Sequence, residues 1–144
     1  DILSAAAFRQ GYDVKKSELH GMSQRGGSVS SDVRFGSKVF SPMVPEGEAD
    51  YLLVLKQDQV DVNRHRLAGG GVLITPEALE DVELPLRRSL NVAMLGVLST
   101  HLPIDTEHWE AAIRANLPER HHDANLGAFE LGRESTEEPV PHSS

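Results

Sequence analysis

Residues 51–55 read Tyr-Leu-Leu-Val-Leu, an apolar run with no charged side chain. A strand that is buried on both faces has this pattern, and such strands are usually parallel to their neighbours. A second apolar run, Val-Leu-Ile at residues 72–74, follows a segment at residues 57–68 that we predict to be a helix ended by the glycines 69–71. A strand, a helix and a strand at this separation predict a right-handed βαβ unit and therefore an α/β fold.

Upstream of this unit we predict a helix over residues 2–10 that stops at Gly11, because Ala and Leu favour helices and glycine ends them. Residues 12–16 are predicted as a short strand. Residues 29–35 alternate apolar and polar side chains with a period of two, which is typical of a strand. Gly36 and Ser37 suit a tight turn, so we predict a β-hairpin after the glycine-rich loop, with residues 38–41 as the returning strand.

Downstream, the apolar spacing predicts helices over residues 90–101, 105–117 and 118–132. Residues 134–144 are rich in Ser, Pro and Glu, which is typical of a flexible tail. We therefore predict one domain over residues 1–133, built as three α/β/α layers around a mixed, mostly parallel sheet, with a helical C-terminal third. The side chains expected to be buried in its core are Leu53, Val54, Val72, Leu73, Leu95, Leu98 and Trp109.

The polar, glycine-rich loop between the first two predicted strands is the candidate recognition site. It comprises His20, Gly21, Met22, Ser23, Gln24, Arg25, Gly26, Gly27 and Ser28. Its three glycines permit positive φ or a close approach of another molecule to the main chain, and the guanidinium of Arg25 suits a carboxylate or a phosphate. An ordinary turn with a solvated arginine is the alternative.

Carboxylates flank this loop at Asp13, Glu18 and Asp32. They are candidates for an acid–base pair, but pairing with Lys15, Arg25 or Arg34 is the simpler use, and we favour it. The loop itself contains no combination of nucleophile, base or metal ligands, so we predict no catalytic residue in this chain. Residues 121–123 read His-His-Asp, but adjacent helical residues point ~100° apart, so we predict no metal site there.

Composition excludes several classes of function. The 144 residues carry a net charge of −8 and no cysteine, which excludes disulfides, thiolate zinc sites and ordinary iron–sulfur ligation by this chain. Residues 1–40 contain six Lys/Arg and four Asp/Glu, so the basic balance lies around the glycine-rich loop. The acidic remainder argues against nucleic-acid binding, and the lack of a long apolar run argues against a membrane span. We expect a cytoplasmic protein.

Four separated motifs resemble one family, the gamma-type domain of 2-oxoacid:ferredoxin oxidoreductases. Met-Ser-Gln-Arg-Gly-Gly at residues 22–27 is closest to the form in the beta subunit of indolepyruvate ferredoxin oxidoreductases, and Asp-Val-Arg-Phe-Gly follows it at residues 32–36. The other motifs are Asn-Val-Ala-Met-Leu-Gly at 91–96, Leu-Pro-Ile at 102–104 with Trp109, and Asn-Leu-Gly-Ala-Phe-Glu-Leu-Gly-Arg at 125–133.

The resemblance implies a non-catalytic gamma-type subunit of an enzyme that oxidatively decarboxylates a 2-oxo acid, such as an aryl pyruvate, to an acyl-CoA. Thiamine diphosphate, magnesium and iron–sulfur clusters are then expected in partner chains, with ferredoxin as an indirect partner, and the isolated chain is expected to be inactive. A contact with coenzyme A and a homodimer of the isolated chain are left open. The alternative is a free-standing α/β binding protein for a phosphate-bearing small molecule.

The same resemblance implies segments that this sequence lacks. The family begins with a strand and a glycine-rich turn before the first helix, and it places a further strand and helix after the second apolar run. We therefore expect residues to be missing before Asp1 and between Ile74 and Asn91.

Overall fold

A computed structural model describes residues 2–20, 29–39, 44–45, 47–85 and 89–136. The fold is α/β with a helical C-terminal third, as predicted. Its elements are α1 (Ile2–Gln10), β1 (Asp13–His20), β2 (Val29–Gly36), β3 (Ala49–Leu53), α2 (Val60–Asn63), β4 (Leu67–Ile74), α3 (Leu90–Ser99), α4 (Thr106–Asn116) and α5 (His122–Thr136). Helix α5 reaches into the predicted tail, of which residues 137–144 lie outside the described part of the chain.

The predicted βαβ unit is present, because β3 and β4 pair in parallel with Tyr51 beside Val72 and Leu53 beside Ile74. The crossover is shorter than predicted: α2 is a single turn between two 3₁₀ turns, Gln57–Gln59 and Arg64–Arg66. The three glycines do not end a helix but lie inside β4, where the register shifts. A Cβ on Gly71 would lie 2.9 Å from the carbonyl oxygen of Asp50, so this close approach requires glycine.

The β-hairpin is formed by β1 and β2, which the glycine-rich loop connects, whereas the prediction placed the hairpin after that loop. Strand β1 pairs antiparallel with β2 from Asp13 opposite Gly36 to His20 opposite Val29. The prediction that residues 38–41 return as the partner strand of β2 is therefore wrong in its pairing: Lys38 and Val39 are in no strand, and residues 40–41 lie outside the described ranges. In place of a single mixed sheet, the described strands form two sheets of two strands each.

Two apolar clusters form the core. One joins α1, α4 and α5 around Trp109 and Phe129, and the other joins β4, α3 and α5 around Ile74 and Met94. Among the predicted core residues Val54, Leu98 and Trp109 are buried. Leu53, Val72, Leu73 and Leu95 are of intermediate burial: most of each residue is covered, as predicted, and a smaller part stays exposed. For the three strand residues the remaining exposure arises because a sheet of two strands has no neighbouring strand on its outer edges.

Helices α3 and α5 make the closest contact among the described elements. A methyl group on Gly96 would overlap the carbonyl oxygen of Phe129, and one on Gly132 would overlap that of Ala93. The two helix backbones are therefore in direct contact at Gly96 and Ala93 of α3, with Gly132 as the partner on the facing helix. No helix in the described ranges is long and apolar enough to cross a membrane.

Candidate recognition site at the hairpin

The hairpin determines where the candidate recognition loop begins and ends. His20 is the last residue of β1 and Val29 the first of β2, and the two lie opposite each other. The loop therefore connects β1 to β2 at one end of the hairpin. Its residues Gly21, Met22, Ser23, Gln24, Arg25, Gly26, Gly27 and Ser28 lie outside the described ranges, as does the side chain of His20.

One face of the hairpin attaches it to the helical core. Val14 and Phe35 lie opposite each other in the ladder, so their side chains share a face. Both pack against the apolar cluster around Trp109. The ring centroids of Phe35 and Tyr12 are 5.3 Å apart, and the hydroxyl of Tyr12 donates to the carbonyl oxygen of Pro103 at 3.3 Å. The strands that carry the loop are thus fixed to the body of the protein.

The other face of the hairpin is polar and holds the chain that follows β2. Asp13, Lys15 and Ser17 lie opposite Gly36, Arg34 and Asp32 respectively. The backbone N–H of Val39 donates to Oδ2 of Asp13 at 2.9 Å, and the N–H of Val44 donates to Oδ2 of Asp32 at 3.1 Å. Two carboxylates of the hairpin therefore bind the backbone at Val39 and Val44, and residues 40–43 between them lie outside the described ranges.

These contacts also decide the role of the flanking carboxylates. Asp13 and Asp32 stand four positions apart in the ladder, so the structure does not bring them together as an acid–base pair. The favoured pairing with Lys15 is observed for Asp13, whose Oδ1 lies 3.2 Å from the Lys15 ammonium. The pKa of Asp13 is lowered, first by the N–H of Val39 and then by Lys15. Sequence reasoning missed the bond to Val39, because 26 residues separate donor and acceptor.

Four of the six basic residues of the N-terminal region lie on or just after the hairpin strands. Lys15 and Arg34 are opposite each other in the ladder, Lys16 lies on the other face of β1, and Lys38 lies two residues after β2. The chain as a whole carries −8. Because Asp13, Glu18 and Asp32 lie on the same strands, residues 13–20 and 29–39 together carry only +1, so this region repels an acidic partner less than the rest of the chain does.

Residues 121–123 show no chelating arrangement. Nε2 of His122 lies 2.8 Å from the carbonyl oxygen of Leu117, so this ring takes part in the connection between α4 and α5. Within the described residues, no three His, Asp or Glu side chains are grouped as metal ligands.

Two concave regions bear on the phosphate-binding alternative. The larger, about 310 Å³, lies between the starts of α1, α3 and α5 and is lined by Ile2, Ser89, Asn91, Val92, Leu95, Leu117, His121 and Asn125. The smaller, about 280 Å³, lies at the glycines of β4 and includes Asp50. Neither is lined by a lysine or arginine among the described residues, so neither favours a phosphate group.

Comparison with known proteins identifies a consistent set of relatives. The family model described as pyruvate ferredoxin/flavodoxin oxidoreductase matches residues 1–89 and 75–135. Indolepyruvate oxidoreductase subunit IorB of Pyrococcus horikoshii is 30% identical over an alignment that covers 96% of this chain and 88% of the relative. The protein of the same name from Thermococcus kodakarensis gives the same identity and coverage.

The two stretches matched by the family model overlap at residues 75–89, directly after β4. The alignments with both relatives run over 178 positions, although this sequence has 144 residues. The relatives therefore contain residues that have no counterpart here.

Solved structures share the fold. The gamma subunit of a keto/oxoacid ferredoxin oxidoreductase from Geobacter sulfurreducens superimposes with a TM-score of 0.76 at 24% identity, covering 96% of this chain and 89% of that one. A 2-oxoglutarate:ferredoxin oxidoreductase from Magnetococcus marinus, solved with 2-oxoglutarate, coenzyme A and succinyl-CoA bound, gives 0.75 at 17% identity. It covers 97% of this chain but only 28% of that one, so there the fold is one part of a longer polypeptide.

Proposed function

Because the chain belongs to the pyruvate ferredoxin/flavodoxin oxidoreductase family, we propose that it is a non-catalytic, gamma-type subunit of a 2-oxoacid:ferredoxin oxidoreductase. The observation that carries the proposal is the match of nearly the whole chain to subunits of such enzymes, in sequence and in fold. The hairpin adds a physical reason, because one of its faces packs on the helical core and its strands, unlike the acidic chain as a whole, have balanced charge.

The reaction proposed for the whole complex is the oxidative decarboxylation of an aryl pyruvate. The bond between the carboxylate and the 2-oxo carbon breaks and releases CO₂, the acyl carbon forms a thioester with coenzyme A, and two electrons reduce ferredoxin. Thiamine diphosphate, magnesium and iron–sulfur clusters supply this chemistry from partner chains. This chain has no cysteine to hold a cluster, so its own residues are assigned to assembly rather than to a chemical step.

Within the complex we assign residues 20–28 to recognition of a partner subunit. Asp13 and Asp32 hold the segment after β2 against the polar face, while Val14 and Phe35 hold the opposite face on the helices. These contacts attach the strands to the body of the protein, and the ladder brings the loop-bearing residues His20 and Val29 opposite each other, which lowers the conformational cost of forming an interface. Arg25 is the side chain in this loop best suited to an acidic group on the partner.

The test compares Arg25→Ala with Arg9→Ala, because Arg9 is an exposed arginine on α1 outside the loop. Both isolated chains should unfold within a few degrees of wild type, since Arg9 is exposed, Arg25 is expected from the sequence to be a polar loop residue, and substitutions at surface positions change stability by about 0.5 kcal/mol or less. In the reconstituted complex, Arg25→Ala should weaken subunit association by about 2–5 kcal/mol, because it leaves an acidic group of the partner buried without its counter-charge. Arg9→Ala should assemble normally.

Ferredoxin-linked oxidation of an aryl pyruvate by each complex is the second readout. Full assembly and turnover with Arg25→Ala would show that the loop does not recognise a partner subunit through this side chain. Turnover by the wild-type chain without partners would overturn the assignment as a non-catalytic subunit. Tight binding of a phosphate-bearing molecule by a chain that joins no complex would favour the free-standing binding protein instead.

A further inference from the structure

The larger of the two concave regions is a cavity with apolar walls. Val92 and Leu95 of α3, Leu117 after α4 and Ile2 of α1 contribute these walls. Its volume of about 310 Å³ lies within the range of about 300–1,000 Å³ in which proteins bind small molecules. Its lining contains no Lys, Arg, Asp or Glu among the described residues, and burying an unpaired charge is costly, so the cavity favours an uncharged ligand.

One polar side chain of the lining, that of Asn125, has a fixed orientation. Only 8% of Asn125 is exposed, and its Nδ2 donates to the carbonyl oxygen of His121 at 2.9 Å. A carbonyl oxygen can bond only to the NH₂ end of an amide, so this contact determines which end of the side chain is nitrogen. Oδ1 is the end that does not bond to His121.

This oxygen is an acceptor without a donor. Oδ1 of Asn125 accepts no hydrogen bond from any residue that the structure describes. It is also not sealed from solvent, unlike the indole nitrogen of Trp109. Because Asn125 lines the cavity and is otherwise almost completely covered, Oδ1 is accessible from the cavity. A ligand that brings an N–H or O–H group satisfies this acceptor.

The wall that carries Asn125 is held in place by contacts of its own. Nε2 of His122 lies 2.8 Å from the carbonyl oxygen of Leu117, and the N–H of Leu117 donates to the carbonyl oxygen of Ile113 at 3.1 Å. The N–H of His121 donates to the carbonyl oxygen of Pro118 at 2.9 Å. The connection between α4 and α5 is therefore ordered without a ligand, which lowers the conformational cost of binding one.

We propose that this cavity binds an uncharged aromatic molecule that carries one N–H or O–H donor. The donor bonds to Oδ1 of Asn125, and the ring packs against Leu95 and Leu117. Indole and phenol belong to this class, because each combines a rigid apolar ring with a single donor. The proposal goes beyond the proposed function, which assigns to this chain only contacts with partner subunits.

Isothermal titration calorimetry of the purified chain with indole and with benzofuran tests the proposal. The two molecules have nearly the same shape, but benzofuran has a ring oxygen where indole has its N–H group. Indole should bind at least about tenfold more tightly, because benzofuran leaves Oδ1 of Asn125 unpaired and places a second oxygen near it. Asn125→Leu should abolish this preference for indole.

Leu117→Trp is a second variant that leaves Asn125 unchanged. Its larger side chain fills part of the cavity, so indole should bind at least about tenfold more weakly. Leu55→Trp is the matched control, since it makes the same change at a leucine that is 44% exposed and does not line the cavity. It should bind indole as wild type does. Circular dichroism checks that the variants are folded, and Leu117→Trp decides the outcome if Asn125→Leu is not.

Three outcomes would overturn the proposal. If wild type does not bind indole up to the solubility limit of indole, the cavity is not a site for this class of molecule. If indole and benzofuran bind equally to wild type, Asn125 does not receive a donor from the ligand. If Leu117→Trp binds indole as tightly as Leu55→Trp does, the bound molecule lies elsewhere. The titrations use the isolated chain and measure no turnover, so each of these outcomes would leave the proposed function standing.

Discussion

Helices α3 and α5 and strands β3 and β4 are two neighbouring pairs of elements that pack in opposite ways. The helices meet backbone to backbone at Gly96 and Gly132, and the fully buried Met94 and Phe129 lie on them. The strands bury one face on α3 but leave Leu52 and Leu73 half-buried on the other. The first pair is therefore in direct backbone contact, whereas the second pair keeps part of the Leu52 and Leu73 side chains exposed on one face.

The largest expected effect is on the helical pair. Phe129→Ala should lower the free energy of unfolding by about 3–5 kcal/mol, because it leaves a cavity beside Trp109, whose ring centroid is 5.6 Å away. Leu73→Ala should cost only about 1 kcal/mol, because its side chain is half-buried. Urea denaturation of both variants measures the difference. Equal reductions in the free energy of unfolding would show that the strand pair is packed as completely as the helices.

A glycine substitution gives the next effect. Gly132→Ala should destabilise the protein by about 1–3 kcal/mol or more, because the added methyl group overlaps the carbonyl oxygen of Ala93 and forces the helices apart. Gly127→Ala is the matched control on the same helix, where no atom lies within 4 Å of the added Cβ. It should stabilise by up to about 1 kcal/mol, since alanine favours helix. Similar melting temperatures for the two variants would contradict the backbone contact.

The smallest effect concerns the hairpin, which depends on an ionised side chain as well as on apolar packing. The pKa of Asp13 is lowered in the folded state from its ordinary 3.8. Its contribution to stability is therefore present above that value and disappears as the pH falls through the lower, folded-state pKa. Asp13→Asn should have a lower melting temperature than wild type at pH 7. The difference between the two melting temperatures should disappear in acid below pH 3.8.

Asp58→Asn is the control for this pH dependence, because it removes an exposed carboxylate from the βαβ unit. Its melting temperature should lie close to that of wild type at pH 7, as exposed substitutions usually do. A difference between Asp13→Asn and wild type that stays constant down to strong acid would show that Asp13 acts through its shape rather than its charge.

Two predictions from local sequence were wrong for a common reason. Gly36 and Ser37 form a plausible two-residue turn, so the local signal favoured a hairpin with residues 38–41. The observed ladder instead joins β1 to β2 across eight loop residues, and the next segment is held by Asp13 and Asp32. Similarly, the glycines 69–71 were predicted to stop a helix, but they form an irregularity within β4. A glycine in the sequence indicates an irregularity or an end of regular structure, but it does not show whether a helix, a strand or a turn is affected.

The sequence by itself determined the α/β class, the helical C-terminal third and the family, because apolar periodicity and short motifs are local properties of the chain. The arrangement of the strands into two separate pairs, the bonds from Asp13 and Asp32 to the returning segment, and the exposure of Leu55 and Val62 were decided by the tertiary structure. Each depends on which distant residue lies opposite or above another. An apolar run such as residues 51–55 indicates that a strand is suited to burial. The exposed fraction of each of its side chains, however, depends on the elements that pack against it, and only the tertiary structure determines those.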